Sequence, residues 1–137
     1  MNTNVRVAAE LSKNPNSPTI ELRERWREGE FVLLFSLTLL KELEDKLLEK
    51  GVPSENVQLV VTETQAHGEL VEVLPSDVAH VIRADPDDDH VIACAVVGKA
   101  TYIVTYDPHF EQLGGEHRGV KIVKPLEFLE VLRARER

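Results

Sequence analysis

A continuous apolar run, Phe31-Val-Leu-Leu-Phe35, passes through one serine into a segment whose leucines recur at helical spacing. An uninterrupted apolar run fits a strand buried on both faces, as in a covered parallel sheet. The same alternation returns twice. An apolar helix pattern over Asp87–Gly98 precedes the strand Thr101–Thr105, and the strand Val120–Val123 precedes a helix over Pro125–Arg133 carrying Leu126, Phe128, Leu129 and Leu132. Strands alternating with helices imply a parallel sheet with helices packed on each side, so the expected fold is α/β, a three-layer α/β/α sandwich.

The remaining segments fit that frame. Asn14-Pro-Asn-Ser-Pro18 is a loop, with Pro18 suited to the first turn of a helix that ends before Gly29. Leu39, Leu40, Leu43 and Leu47 form one stripe of a helix over Leu37–Lys50, capped by Gly51. Ser54–His67 reads as a further helix, Leu70–Leu74 as a short strand, Val78–Ala84 as an extended connection and Pro108–Leu113 as a short helix. No repeat or low-complexity segment divides residues 1–137, and that length suits one domain. Ahead of the first helical pattern stand only Met1 to Thr3, so the buried strand that opens such folds is expected to be truncated.

Composition narrows the function classes. No apolar run approaches the roughly 20 residues of a membrane span, and the N-terminus has no apolar core of a signal peptide, so a cytoplasmic protein is expected. Cys94, the single cysteine, sits among Ile92, Ala93, Ala95 and Val96 and reads as a small core residue. A net charge of −8 argues against loose binding to a nucleic-acid backbone, while leaving room for phosphates held through a metal. Arg23, Arg25 and Arg27 alternate with Glu21, Glu24, Glu28 and Glu30, the pattern of a solvated helix face.

The chemistry-bearing residues are acids. Asp85-Pro-Asp-Asp-Asp89 opens a helix, and Asp107 closes the strand that follows it. In an open parallel sheet both would lie at the rim formed by the strands' carboxyl ends, where such folds bind ligands. Clustered carboxylates repel one another, and a divalent cation relieves that repulsion. As structure alone, Asp85 is an N-cap, Pro86 a first helical residue, and the acids a complement to the helix dipole. Capping accounts for two of the four acids better than for all of them. Asp88 shares a face with Ile92 and Ala95, which turns it toward the buried side; cap and ligand remain equally open for it. Asp107, followed by Pro108, could equally cap a helix. Glu42 is spaced from Lys46 as an ordinary surface pair, and its residues alone favour that reading. His67 and His80 are isolated, and His117 falls in a turn. His90 and His109 flank the acids without zinc-ligand spacing. No glycine-rich phosphate loop or nucleophile elbow occurs.

Taken in order, Asn2-Thr-Asn4-Val5, Ser36 through Glu42-Leu43, Asp85-Pro-Asp-Asp88 and Thr105-Tyr-Asp107 resemble the PIN-domain family, above all its small toxin-like ribonucleases of bacterial and archaeal toxin–antitoxin systems. Trp26-Arg-Glu-Gly-Glu30 and Ile122-Val-Lys-Pro-Leu-Glu-Phe-Leu129 extend the likeness over nearly the whole chain. The resemblance implies an Mg²⁺- or Mn²⁺-dependent endoribonuclease, with metal ligands at position 2, Glu42, Asp88 and Asp107. Asn4, Thr105 and Asp85 would be supporting polar groups, with an RNA substrate, an antitoxin and a homodimer as partners. The family pattern opens on a strand ending in Asp-Thr-Asn, where this chain has Met1-Asn2-Thr3-Asn4. Asn2 keeps a carbonyl acceptor but loses the charge that makes a carboxylate a good Mg²⁺ ligand, so weak or absent cleavage is expected. A displaced start, truncation or degeneration of the gene would each account for the missing strand, and the chain's own termini or a second copy could fill the gap.

Two other functions compete. A catalytically dead PIN-like module would bind RNA or an antitoxin, and Asn2 favours it. A phospho-accepting receiver domain also has clustered acids and a Lys-Pro after its last strand, imitated by Lys124-Pro125. Receivers, however, place the acidic pair after the first strand, far ahead of Asp85.

Overall fold

The computed structural model describes residues 9, 16–78, 86–106, 110 and 113–135, with backbone alone for 86–88. Helix α1 (Pro18–Arg27) precedes strand β1 (Leu34–Phe35), helix α2 (Leu37–Glu49) and helix α3 (Ser54–His67). Strand β2 (Glu69–Leu70), a 3₁₀ turn (Pro75–Asp77) and helix α4 (Pro86–Val97) follow. The chain then forms strands β3 (Tyr102–Val104), β4 (Glu116–His117) and β5 (Val120–Val123), and helix α5 (Pro125–Arg135).

Local chemistry fixes these boundaries. Pro18 starts α1, where a missing N–H costs nothing. Ser36 ends β1 and caps α2, its Oγ accepting from the Leu39 amide at 3.2 Å. Leu40, Leu43 and Leu47 then point to one side and meet Val57, Val60 and Val61 of α3, joined by Phe35. Thr64 is buried in that helix pair, and its hydroxyl donates to the Val60 carbonyl at 2.8 Å.

The sheet is α/β with parallel pairing, as the apolar runs predict. Leu34 and Phe35 pair with Glu69 and Leu70, and Tyr102–Val104 pair with Lys121–Val123, both in parallel. Side chains alternate across β3. Ile103 packs with Val91, Ile92 and Ala95 of α4, whereas Val104 packs with Leu22 of α1 and Phe128, Leu129 and Leu132 of α5. Helices therefore cover both faces, which makes three layers.

Three features differ from the sequence reading. The first strand is only Leu34–Phe35 long. Phe31 instead turns onto α5, its ring meeting Phe128 edge-on at 5.2 Å, and Val32 is exposed. Leu70–Leu74 likewise shortens to Glu69–Leu70, followed by one further bond from the Val71 amide to the Phe35 carbonyl at 2.7 Å. His117 stands in a strand rather than a turn. The turn is Arg118-Gly119, with φ of 47° and 82°, a two-residue hairpin that sets β4 antiparallel to β5. Among the described residues the strands form two separate groups, β1-β2 and β3-β5-β4. The expected helix over Pro108–Leu113 and the connection after Val78 fall largely outside the described residues.

Candidate active site

Among the described residues, Glu42 lies on α2, Asp88 at the start of α4 and Thr105 just after β3. Helix α2 leaves directly from the carboxyl end of β1, so its first turns lie at that rim. Helix α4 ends a few residues before β3 begins and packs against it, so α4 starts near the carboxyl end of β3. Leu39, in the first turn of α2, packs against the cluster formed by α4 and β3. Glu42 lies one turn beyond Leu39, half-buried, next to fully packed Leu43. Asp88 occupies the first turn of α4, three residues before buried Val91; its side chain lies outside the described residues. Thr105 follows β3 directly. It is 4% exposed, and its amide donates to the Val123 carbonyl at 3.0 Å, extending the ladder to the rim. Asn2, Asn4, Asp85, Asp107 and His109 lie outside the described residues.

Asp89 is an acid to which sequence reasoning gave no role of its own. It is 2% exposed and is the fourth residue of α4. A carboxylate withdrawn this far from water is held only where hydrogen bonds or positive charge compensate it. The signal for it was weak, because Val91 through Ala95 are all buried and α4 has no single inner face. His90 is half-buried beside it.

The donor chemistry of this rim is oxygen: the carboxylates of Glu42 and Asp89, and the hydroxyls of Ser36 and Thr105. Such a set suits a hard cation such as Mg²⁺ or Mn²⁺ and not zinc. Among the described residues no three acid, histidine or cysteine side chains converge on one point.

The arginines of α1 are committed elsewhere. Arg25 pairs with Glu21 at 2.9 Å and Glu30 at 2.7 Å, and Arg27 holds Glu63 of α3 through two bonds of 2.7 and 3.1 Å. Glu21 also accepts from Arg133 of α5 at 2.7 Å, and that bond holds its carboxyl below the usual carboxylate value. These pairs tie α1 to α3 and α5, so the charges of this face serve packing. No helix among the described residues is long and apolar enough to cross a membrane.

A family model described as PIN domain matches residues 1–109, which include Glu42, Asp88, Thr105 and Asp107. Neither the curated proteins nor the solved structures provide a match. With most of its length covered by that model, the chain belongs to the PIN-domain family, a family of nucleases.

Proposed function

We propose that this chain is an Mg²⁺- or Mn²⁺-dependent endoribonuclease of a toxin–antitoxin system, weakened at its first acid by Asn2. The observation that carries the reading is the PIN-domain match over residues 1–109, supported by the packing of Leu39 of α2 against the cluster of α4 and β3. Glu42, Asp88 and Asp107 would hold the cation, with the Asn2 carbonyl as a neutral fourth contact. When bound, such an ion lowers the pKa of a coordinated water and offsets charge on a phosphodiester.

The residues themselves supply position and a base. A carboxylate oxygen of Asp88 or Asp107 accepts the proton of the attacking water and aims it at phosphorus. Thr105 and Asn4 donate hydrogen bonds to the phosphate or to those carboxylates. Asp85, at the head of α4, adds negative charge that favours cation entry. With a net charge of −8, the chain has little general attraction for RNA, so substrate affinity depends on this local site. An antitoxin would silence the rim, and a homodimer is the expected assembly.

One observation favours a second reading. Asn2 lacks the charge of the first acid, which would leave a PIN-like module that binds RNA or an antitoxin without cutting. Cleavage of a labelled RNA over an Mg²⁺ and Mn²⁺ series separates the two. The nuclease reading expects slow, metal-dependent cleavage that Asn2→Asp raises at least about tenfold, the gain of one well-placed interaction of ~1.4 kcal/mol. If the chain and Asn2→Asp both fail to cut and to bind Mn²⁺, the binding-module reading stands instead.

A further inference from the structure

The chain's four phenylalanines, two tyrosines and single tryptophan all fall within the described residues. Packing accounts for every ring but one. Trp26, Phe35, Phe110 and Phe128 are buried, and half-buried Phe31 and Tyr102 lay their rings against Phe128. Tyr106 alone is exposed, at 48%. Single exposed aliphatic residues such as Leu59 and Leu126 are ordinary surface. What sets Tyr106 apart is its place.

Tyr106 stands directly between Thr105, a buried polar group of the site, and Asp107, a proposed metal ligand. Consecutive Cα atoms lie about 3.8 Å apart, so the ring is anchored one residue from that ligand. Its anchor is firm. Ile103 packs against α4, Val104 packs against α1 and α5, and the Thr105 amide donates to the Val123 carbonyl at 3.0 Å. A ring on so fixed a backbone, with about half its surface left to solvent, loses little freedom when a flat partner settles on it.

Charge narrows the chemistry of that partner. The chain carries −8, and Arg25, Arg27 and Arg133 are already held by carboxylates, so Coulomb attraction contributes little to holding a phosphodiester strand. Stacking of a nucleobase on an aromatic face needs no net charge and changes affinity by roughly 5- to 150-fold per base. The base must also be free of its own stack and pairs, as in an unpaired strand. A purine's two fused rings cover more of the tyrosine face than a pyrimidine's one, and the gain from burial grows with area.

We propose that Tyr106 stacks on the base of a nucleotide next to the scissile phosphate, which positions the strand and sets a preference for a purine there. RNA as the ligand rests on the nuclease reading above, so binding and cleavage are measured separately.

The probes are fluorescein-labelled octa-adenylate, octa-uridylate and an abasic ribose-phosphate octamer, bound to the full chain in Ca²⁺ and followed by fluorescence polarisation. Octa-adenylate should bind more tightly than octa-uridylate, and Tyr106→Ala should weaken its binding at least about fivefold, the low end of the stacking range. Tyr106→Phe keeps the ring face and should stay within about twofold of the parent chain. The abasic octamer has nothing to stack and should bind the parent chain and Tyr106→Ala equally. A ring that served only folding would not sort the probes in this way, and circular dichroism checks that both variants fold. Any of four results would overturn the proposal: octa-adenylate binding unchanged in Tyr106→Ala, equal losses in Tyr106→Phe and Tyr106→Ala, an equal loss for the abasic octamer, or no binding of any probe by the parent chain. Equal binding of octa-adenylate and octa-uridylate by the parent chain would overturn the purine preference. Cleavage in Mn²⁺ is scored independently. Tyr106-dependent binding without cutting keeps the stacking and favours the binding-module reading, whereas cutting with Tyr106-independent binding overturns the stacking alone.

Discussion

Phe128 is the residue on which the α1/α5 side of the sheet depends most visibly. It is 6% exposed, meets Phe31 edge-on with ring centroids 5.2 Å apart, and meets Tyr102 of β3 at the same separation with a 56° tilt. Phe128→Ala removes the ring and both aromatic contacts. Buried Phe→Ala changes cost about 3–5 kcal/mol, and each aromatic pair accounts for about 0.5–1.5 kcal/mol of such a total. The ring also borders a cavity between β1 and β3, so part of its surface already lacks neighbouring atoms. The expected loss therefore lies near the low end, about 3 kcal/mol, a large fraction of the ~5–15 kcal/mol that holds a domain together. Urea denaturation followed by circular dichroism measures it, with Leu59→Ala as control. Leu59 is 70% exposed, and its truncation should change stability by no more than about 0.5 kcal/mol. In a double-mutant cycle with Phe31→Leu, the two changes should cost less together than their sum, because they share one contact. A loss below about 1.5 kcal/mol for Phe128→Ala, or strict additivity with Phe31→Leu, would refute this packing account.

Ser36→Ala removes the cap of α2 and should cost about 1 kcal/mol in urea denaturation, with Ser36→Asn recovering most of it. Gly98→Ala would place a Cβ 2.8 Å from side-chain carbons of both Leu34 and Val71 and 3.0 Å from the Cys94 carbonyl, so overpacking should cost about 1–3 kcal/mol in the same assay. Glu21 has its folded-state carboxyl held below its ordinary 4.5 by the Arg133 hydrogen bond, so the unfolded chain takes up the proton first. Its contribution is complete above that ordinary value and is lost as pH falls through the lower folded one. Stability measured from about pH 6 down to about pH 3 should therefore fall more steeply for the parent chain than for Glu21→Gln.

The parts of the fold governed by local patterning were legible in the sequence. The leucine stripe of α2, the Ser54–His67 helix, the Val120–Val123 strand and the parallel order all follow from periodicity and caps. What was not legible depended on distant contacts. Nothing within Phe31-Val-Leu-Leu-Phe35 says that Phe31 leaves the strand to meet Phe128, nearly a hundred positions away. The β4–β5 hairpin escaped because Arg118 adopts a positive φ at a turn position where Asn or Asp is the usual signal. At the site, Glu42 looks like one half of a surface pair by spacing, and nothing local says that Leu39, one turn before it, packs against the cluster of α4 and β3. Asp89 was hidden for a simpler reason: a helix buried all round gives its acids no outer face to be sorted by.

The central claim is that this PIN domain cuts RNA through acids gathered at the rim. The most direct measurement is single-turnover cleavage of a labelled RNA at saturating Mn²⁺, comparing Asn2→Asp with the double variant Asn2→Asp/Asp88→Asn. The proposal makes Asp88 a metal ligand and one of the two carboxylates that can serve as base, and loss of such a group reduces rates by about 10²-fold or more. The account predicts that drop with unchanged circular dichroism and urea midpoint. Equal cleavage by the two folded variants would contradict it.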